Sequence, residues 1–365
     1  MNYGRLLSAS LLAMVAVACS EPPPGGAAAQ PAPPVAPAPP APTLKPVAPP
    51  PVVASASPVA KAIDASGYSA DLADKAAQQR MMIRVQVLLD RARFSPGVID
   101  GAGGENLRLA LAAYEAAHGL PADGALESQV WLSLTSGDPG PVMQDYVITQ
   151  ADVAGPFQAT IPTALEAQAK LDHLGYTSPA EALAEKFHMD EKLLRALNPQ
   201  ADFGAAGSTI LVAAPRAGKL EPVVRIEVDK AGRQVRAFGE GDRLLAVYPA
   251  TVGSADRPAP SGVWEVRTVA PNPTYTYDPG RLTFGDAKAG KMTVAAGPNN
   301  PVGSMWIDLT KDTYGIHGTP DPSRVGKTES HGCVRLTNWD VTELGGSVKK
   351  GAKVVFTGEA GAPKT

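Results

Sequence analysis

Apolar residues recur along this chain with two periods, and the change from one to the other divides it. Between about Lys75 and Ser136 the period is helical. Ile83, Val87 and Leu88 stand at i, i+4 and i+5, and Leu107, Leu111 and Tyr114 at i, i+4 and i+7, so each set makes one apolar helix face. Gly97-Val-Ile-Asp100-Gly101 separates these helices. Gly119-Leu-Pro-Ala-Asp123-Gly124 closes the second before a third that carries Leu126, Trp131 and Leu134, the Asp-Gly pairs acting as turn signals. Further on, Ser178-Pro-Ala-Glu181 is a capping box with Pro at the first helical position, opening a helix through Leu183 and Phe187. Asp190 caps another helix with Leu193, Leu194 and Leu197, Asn198-Pro199 stops it, and Ile210-Leu-Val-Ala213 follows as a strand.

From Pro222 the period falls to two. Val224, Ile226 and Val228 alternate with Arg225 and Glu227, and Val235 and Ala237 with Gln234 and Arg236; residues 263–266 and 353–356 are further strands. Asp229-Lys-Ala-Gly232 and Gly239-Glu-Gly-Asp242 sit between runs as hairpin turns. The predicted fold class is therefore multidomain α+β: a small helical bundle over 75–136, a small α/β module over 146–214 and a mainly-β domain over 222–358.

Composition changes the picture at the N-terminal end. From Ser20 to Ile63 the residues are almost all Pro, Ala, Val and Gly, with Glu21, Lys45 and Lys61 the only charges. Such a segment presents no periodic apolar face and favours polyproline II, so 19–74 reads as a tether. At about 3.1 Å per residue it would reach on the order of 100 Å. Residues 1–18, with Arg5 followed by an apolar run from Leu6 to Val17, read as a signal peptide. The net charge of −3 and pI near 6.0 give no reason to expect a nucleic-acid partner.

The candidate chemistry lies in Tyr314-Gly-Ile-His317-Gly318-Thr319 and Ser330-His331-Gly332-Cys333-Val334-Arg335-Leu336, which bring a cysteine within short reach of two histidines. A thiol becomes a nucleophile when its proton is taken or its pKa lowered, and an imidazole does both, which points to cysteine acyl transfer. The chain has two cysteines. Spacing alone leaves His317 and His331 both open as the base. Gly332 lets the backbone pass close to a substrate and, with the Cys333 amide, would form an oxyanion hole. If the segment is extended, Arg335 emerges on the same face as Cys333, where its guanidinium suits a substrate carboxylate or an internal salt bridge. Ser330 reads as a turn residue at the substrate side of the loop. His317, His331 and Cys333 lack a fourth ligand at a recognised spacing, so no metal is expected, and no cofactor. His118, His173 and His188 read as surface or cap residues.

The C-terminal domain resembles the bacterial L,D-transpeptidases over nearly all its length: Pro260-Ser-Gly262-Val-Trp264, Gly297-Pro-Asn-Asn-Pro301-Val-Gly303, His317-Gly-Thr319 and the Ser330 to Leu336 run match that family's motifs. The resemblance implies Cys333 as the nucleophile that forms a thioester with a peptidoglycan stem peptide, and His317 as the base, oriented by the Gly318 carbonyl, with His331 shaping the pocket. It also implies acylation by carbapenems. Residues 75–136 resemble a peptidoglycan-binding domain, with Leu107 and Glu115 as departures from its pattern, and 146–214 resemble a LysM module. Both read either as wall binders or as spacers, standing apart from the chemistry. Ala-Val-Ala-Cys19 resembles a lipobox, which implies a lipid on Cys19, with cleavage after Ala18 as the alternative; Ser20 after it resembles the outer-membrane pattern. The expected protein is a periplasmic, lipid-anchored transpeptidase acting on stem peptides and glycan strands, forming cross-links between diamino acid residues or attaching a protein to the wall. A hydrolase that uses water as acceptor and a silent wall-binding scaffold are the alternatives.

Overall fold

A computed structural model of the chain describes residues 55–254, 257–280, 290–330 and 332–358. The signal peptide, Cys19, most of the tether and His331 lie outside the described residues. The tether ends earlier than its composition implies. Pro58–Asp64 forms a helix, α1, with Ser57 as its cap and Pro58 at its first turn, and it buries Ala60 and Ile63 completely. The Asp64 carboxylate accepts a hydrogen bond from Val142 N at 2.8 Å, tying α1 to the body. A cap, a proline start and two apolar residues one turn apart make a helix here that a count of prolines and alanines hides.

Three helices follow: α2 (Lys75–Arg91), α3 (Glu105–Ala117) and α4 (Ser128–Gly137). Asp74 caps α2 by accepting from Ala76 N and Ala77 N. The expected faces are the buried ones, Ile83, Val87 and Leu88 on α2 and Leu107, Leu111 and Tyr114 on α3. At the turn after α3, a Cβ on Gly124 would lie 2.3 Å from Arg108 O, so only glycine fits. The departure at Glu115 has a purpose in this chain: its buried carboxylate accepts from Gly124 N at 2.8 Å and closes that turn.

The middle module is a two-stranded antiparallel pair, β1 (Met143–Val147) and β2 (Thr209–Ala213), around α5 (Gln150–Val153), α6 (Leu165–Gln168), α7 (Pro179–Lys186) and α8 (Glu191–Leu197). Its first strand starts at Met143, three residues before the expected boundary. Ser178 caps α7, but the Glu181 carboxylate reaches Thr177 rather than Ser178, so the capping box is displaced by one residue. Asn198 ends α8 and clasps β2, donating to Leu211 O at 2.7 Å and accepting from Leu211 N at 2.6 Å.

The C-terminal part comprises β3 (Val223–Asp229), β4 (Gln234–Phe238), β5 (Leu244–Pro249), β6 (Thr251–Val252), β7 (Gly262–Pro271), β8 (Tyr275–Tyr277), β9 (Met292–Val294), β10 (Met305–Leu309), β11 (Gly315–His317), β12 (Val334–Arg335), α9 (Asn338–Gly345) and β13 (Val348–Thr357). Nine strands form one mixed sheet in the order β5-β4-β3-β13-β7-β10-β11-β12-β6, with β8 and β9 as a separate ribbon. The β13–β3 and β11–β12 pairs are parallel. One expectation fails at the start of β3: Val224 is 38% exposed and Val223 is buried, at the place where a register shift between Val348 and Lys353 of β13 interrupts the pairing.

The helical bundle, the middle module and the β domain pack against one another. Phe94 bridges Val247 of β5, with Ser95 N donating to Val247 O and Val247 N to Arg93 O, each at 2.8 Å. Arg216, in the segment after β2, has a side chain only 4% exposed; it pairs with Asp90 of α2, with Asp340 at 2.6 Å and with Glu343 at 2.9 Å, both of α9. Burial alone would push the Asp90 carboxyl up, but Arg216 and His188 beside it hold it well below the usual carboxylate range. At Asp340 burial prevails over Arg216 and raises the pKa. His188 is thus no surface residue: its Nδ1 lies 3.1 Å from Asp90 and its ring stacks on Trp339 at 5.2 Å.

Candidate active site

Parallel pairing of β11 with β12 sets Ile316 opposite Val334 and His317 opposite Arg335. Side chains at paired positions leave a sheet on the same side and alternate along each strand. Arg335 and His317 thus share one face, while Ile316 and Val334 point into the core as fully buried residues; Cys333 stands in the bend just before β12, within the electrostatic reach of Arg335. Antiparallel pairing on the other side sets Trp306 of β10 opposite His317. The indole stacks on the imidazole with ring centroids 5.5 Å apart and 22° between planes. Gly315 makes room for it, since a Cβ there would lie 2.5 Å from Trp306 Cζ2.

The loop before the cysteine is fixed from within. Ser330 is buried; its hydroxyl accepts from Gly253 N at 2.8 Å and donates to Cys333 O at 2.6 Å. It is a turn residue turned inward, and the expectation that it also meets substrate is corrected on that ground. Gly332 has φ 110, a conformation that glycine alone adopts without strain, and a Cβ there would press to 2.9 Å from Tyr314 Cε1. The half-buried Cys333 thiol faces Thr313 O at 3.7 Å.

Electrostatics hold the resting pair neutral. His317 is buried with its Nδ1 2.7 Å from Gly318 O. Burial, then the Arg335 charge, push its pKa down to about 3, and the bond to Gly318 opposes them only in part. Burial pushes the Cys333 thiol up, against the pull of the Gly315 N–H and Arg335. Both groups thus sit as thiol and imidazole near neutral pH, and with Nδ1–H held by Gly318 O the unprotonated ring nitrogen is Nε2. Arg335 Nε is buried without a hydrogen-bond partner among the described residues, a donor left for a ligand. Burial, and then the charge that Cys333 can carry, raise the Tyr275 phenol of β8.

Trp306, Gly315, Tyr275 and Asn338 are the residues of this site that the motifs did not single out. The Asn338 amide oxygen accepts from Ser304 N at 3.0 Å and Thr319 N at 3.2 Å, holding the segment that follows His317. Trp306 was within reach of a sequence argument, as an aromatic residue in the strand that precedes the His motif. Asn338 carries no local signal.

The C-terminal part and the helical bundle are each similar to known proteins. Residues 223–356 match the family model of the L,D-transpeptidase catalytic domain, and residues 79–134 match one described as "Putative peptidoglycan binding domain". The chain is 33% identical over 179 residues to "Putative L,D-transpeptidase YkuD" of Bacillus licheniformis, covering 48% of this chain and 92% of that protein. It is 29% identical to "Probable L,D-transpeptidase YbiS" of Escherichia coli K12 over 51% of this chain and 62% of that one. Among solved structures, the L,D-transpeptidase from Mycobacterium smegmatis is similar at 17% identity and a TM-score of 0.31, over 42% of this chain and 65% of the other.

Proposed function

This chain belongs to the L,D-transpeptidase family, and from that premise we propose that Cys333 and His317 perform acyl transfer on peptidoglycan stem peptides. The observation that carries the reading is the β11–β12 register, which sets His317 opposite Arg335, with Cys333 in the bend that enters β12. In the first step the thiol proton passes to His317 Nε2 as sulfur attacks the stem carbonyl. The tetrahedral oxyanion is met by the Gly332 and Cys333 amides, donors worth about 10²–10³ each in rate. Collapse breaks the peptide C–N bond, the imidazolium gives its proton to the departing amine, and a thioester remains on Cys333. In the second step an amine of a neighbouring stem attacks the thioester, His317 takes its proton, and the thiol is restored. Water in place of that amine would trim the stem through the same acyl-enzyme.

The neutral resting pair makes His317 a general base that acts during attack, rather than half of a standing ion pair. Gly318 O fixes its tautomer, the part that a carboxylate plays in a serine triad. Arg335, with its unmet Nε donor, is suited to a stem carboxylate. His331 is assigned to pocket shape. The helical bundle and the middle module would hold glycan strands, and a lipid on Cys19 would anchor the protein in the periplasm at the outer membrane; no described helix is long and apolar enough to cross a membrane.

Incubation with a carbapenem followed by intact-mass measurement tests this. One adduct on the wild-type chain and none on Cys333→Ala is the expected result. An adduct that survives that substitution, or none on either chain, overturns it.

A further inference from the structure

Glu185 of α7 is buried in the face that the middle module turns to the β domain, and its partner there is Asn338, the first residue of α9. Asn338 Nδ2 donates toward both Glu185 oxygens and to Pro298 O, each at 3.1 Å. Its Oδ1 faces the other way and accepts from Ser304 N and Thr319 N. Two backbone donors on one side and three acceptor oxygens on the other leave the amide a single orientation. The same Oδ1 lies against the Gly318 backbone, for a Cβ on Gly318 would fall 2.2 Å from it. Gly318 O is the acceptor that faces His317 Nδ1. A continuous path thus runs from the module through one amide to the residue that orients the imidazole.

The module grips the neighbouring loop as well. Leu174 N donates to Ala296 O at 2.9 Å, Asn299 N to Leu174 O at 3.0 Å, and Asn299 Nδ2 to Glu181 Oε1 at 2.9 Å. A Cβ on Gly297 would fall 2.1 Å from Leu174 O, so the two backbones meet directly.

We propose that Asn338 is a positioning residue for His317 and that Glu185 holds Asn338 in that role, which makes the middle module a part of the catalytic site. The proposal rests on the reading of His317 as the base. Groups that face Glu185 are Tyr176, whose hydroxyl donates to it at 3.1 Å, Glu181 and Asn338. Burial raises its pKa to about 8, so the acid is protonated at neutral pH and glutamine is a close mimic of it. His317 is faced by Arg335 from β12 and by the uncharged Trp306 from β10, and Asn338 on the α9 side meets the Gly318 that follows it.

The test uses the full chain as wild type, Glu185→Gln, Glu185→Ala and Asn338→Ala, with folding checked by circular dichroism at the assay temperature. Acylation of Cys333 by a carbapenem is timed by intact mass, and its alkylation by iodoacetamide by the mass of the peptide that carries Cys333, between pH 3 and 8. Loss of positioning should slow both about tenfold in Glu185→Ala and up to about a hundredfold in Asn338→Ala. The acid limb of the profile should move up, because a loosened, better hydrated imidazole regains affinity for protons; a loss of fold alone would scale the profile without moving it. Glu185→Gln should recover to within about threefold of wild type, since its amide keeps the bond to Asn338. A folded Glu185→Ala with wild-type rates and an unmoved limb overturns the proposal, as does a folded Glu185→Gln as slow as Glu185→Ala. If Asn338→Ala does not fold, the two Glu185 variants decide. If the wild type takes no carbapenem, the transpeptidase reading fails, and the alkylation series still supports or overturns the positioning.

Discussion

Replacing Arg216 with methionine should cost more than any single change on the surface of this protein. The guanidinium is the shared partner of Asp90, Asp340 and Glu343, and it joins the segment after the middle module to the helical bundle and to α9. Asp90 and Asp340 are completely buried, so methionine fills the space and strands two carboxylates away from water. Breaking a buried pair from one side costs about 3–5 kcal/mol. Asp90 keeps His188, and Asp340 keeps the Ser95 hydroxyl at 3.1 Å, which argues for the lower half of that range. In a chain of this size that is a fall in Tm of about 10 °C. The pH dependence carries the sign. Arg216 holds the folded Asp90 pKa below its unfolded value, a contribution present above the unfolded pKa near 4 and lost as pH falls through the folded one. The variant lacks it, so its deficit should be largest at neutral pH and shrink as pH falls below about 4. Urea unfolding followed by tryptophan fluorescence at pH 7, 5 and 3.5 measures this. A deficit under about 1 kcal/mol at pH 7, or one that does not shrink on acidification, would refute the claim that this network joins the modules.

Two further predictions concern the histidines. At equal folded fraction, His317→Ala should slow carbapenem acylation by about 10²–10⁴ and His331→Ala far less, because only the first removes the base; stopped-flow acylation of both variants decides it, and a larger loss for His331→Ala reverses the assignment. Burial depresses the folded pKa of His317 to about 3, so stability present above about 6.5 should drain away as pH falls toward 3, with a slope approaching about 1.4 kcal/mol per pH unit. His317→Gln should flatten that slope between pH 6 and 4 in urea titrations, and equal slopes in both proteins would contradict the burial argument.

How much of this could be read in the sequence follows from the range of the interactions. Helix faces such as Ile83/Val87/Leu88 and caps such as Asp74 and Asp190 are local, and they stand where period and residue type put them. Cys333 and His317 can be picked out because two short motifs carry them, whereas the extended strand there covers only Val334 and Arg335 and leaves Cys333 in a bend. What escaped is long-range. Val224 is exposed where the pairing with β13, more than a hundred residues away in sequence, shifts register. Arg216, His188, Glu185 and Asn338 have ordinary neighbours in sequence and acquire meaning only when separate modules meet, so residues read as cap, spacer or loop became the contacts that unite them. The α1 helix was hidden for the opposite reason, a strong compositional signal for a tether overriding a weaker local one at Ser57-Pro58.

The central claim, acyl transfer from a stem peptide through Cys333, is tested most directly by mass spectrometry of muropeptides after incubation with the full chain. The wild type should consume tetrapeptide-bearing muropeptides and yield a dimer joined directly between diamino acid residues, with release of the terminal D-amino acid, while Cys333→Ala leaves the substrate intact. Accumulation of trimmed monomer alone would assign water as the acceptor. An unchanged muropeptide profile with folded wild-type protein, or the same products from Cys333→Ala, would contradict the account.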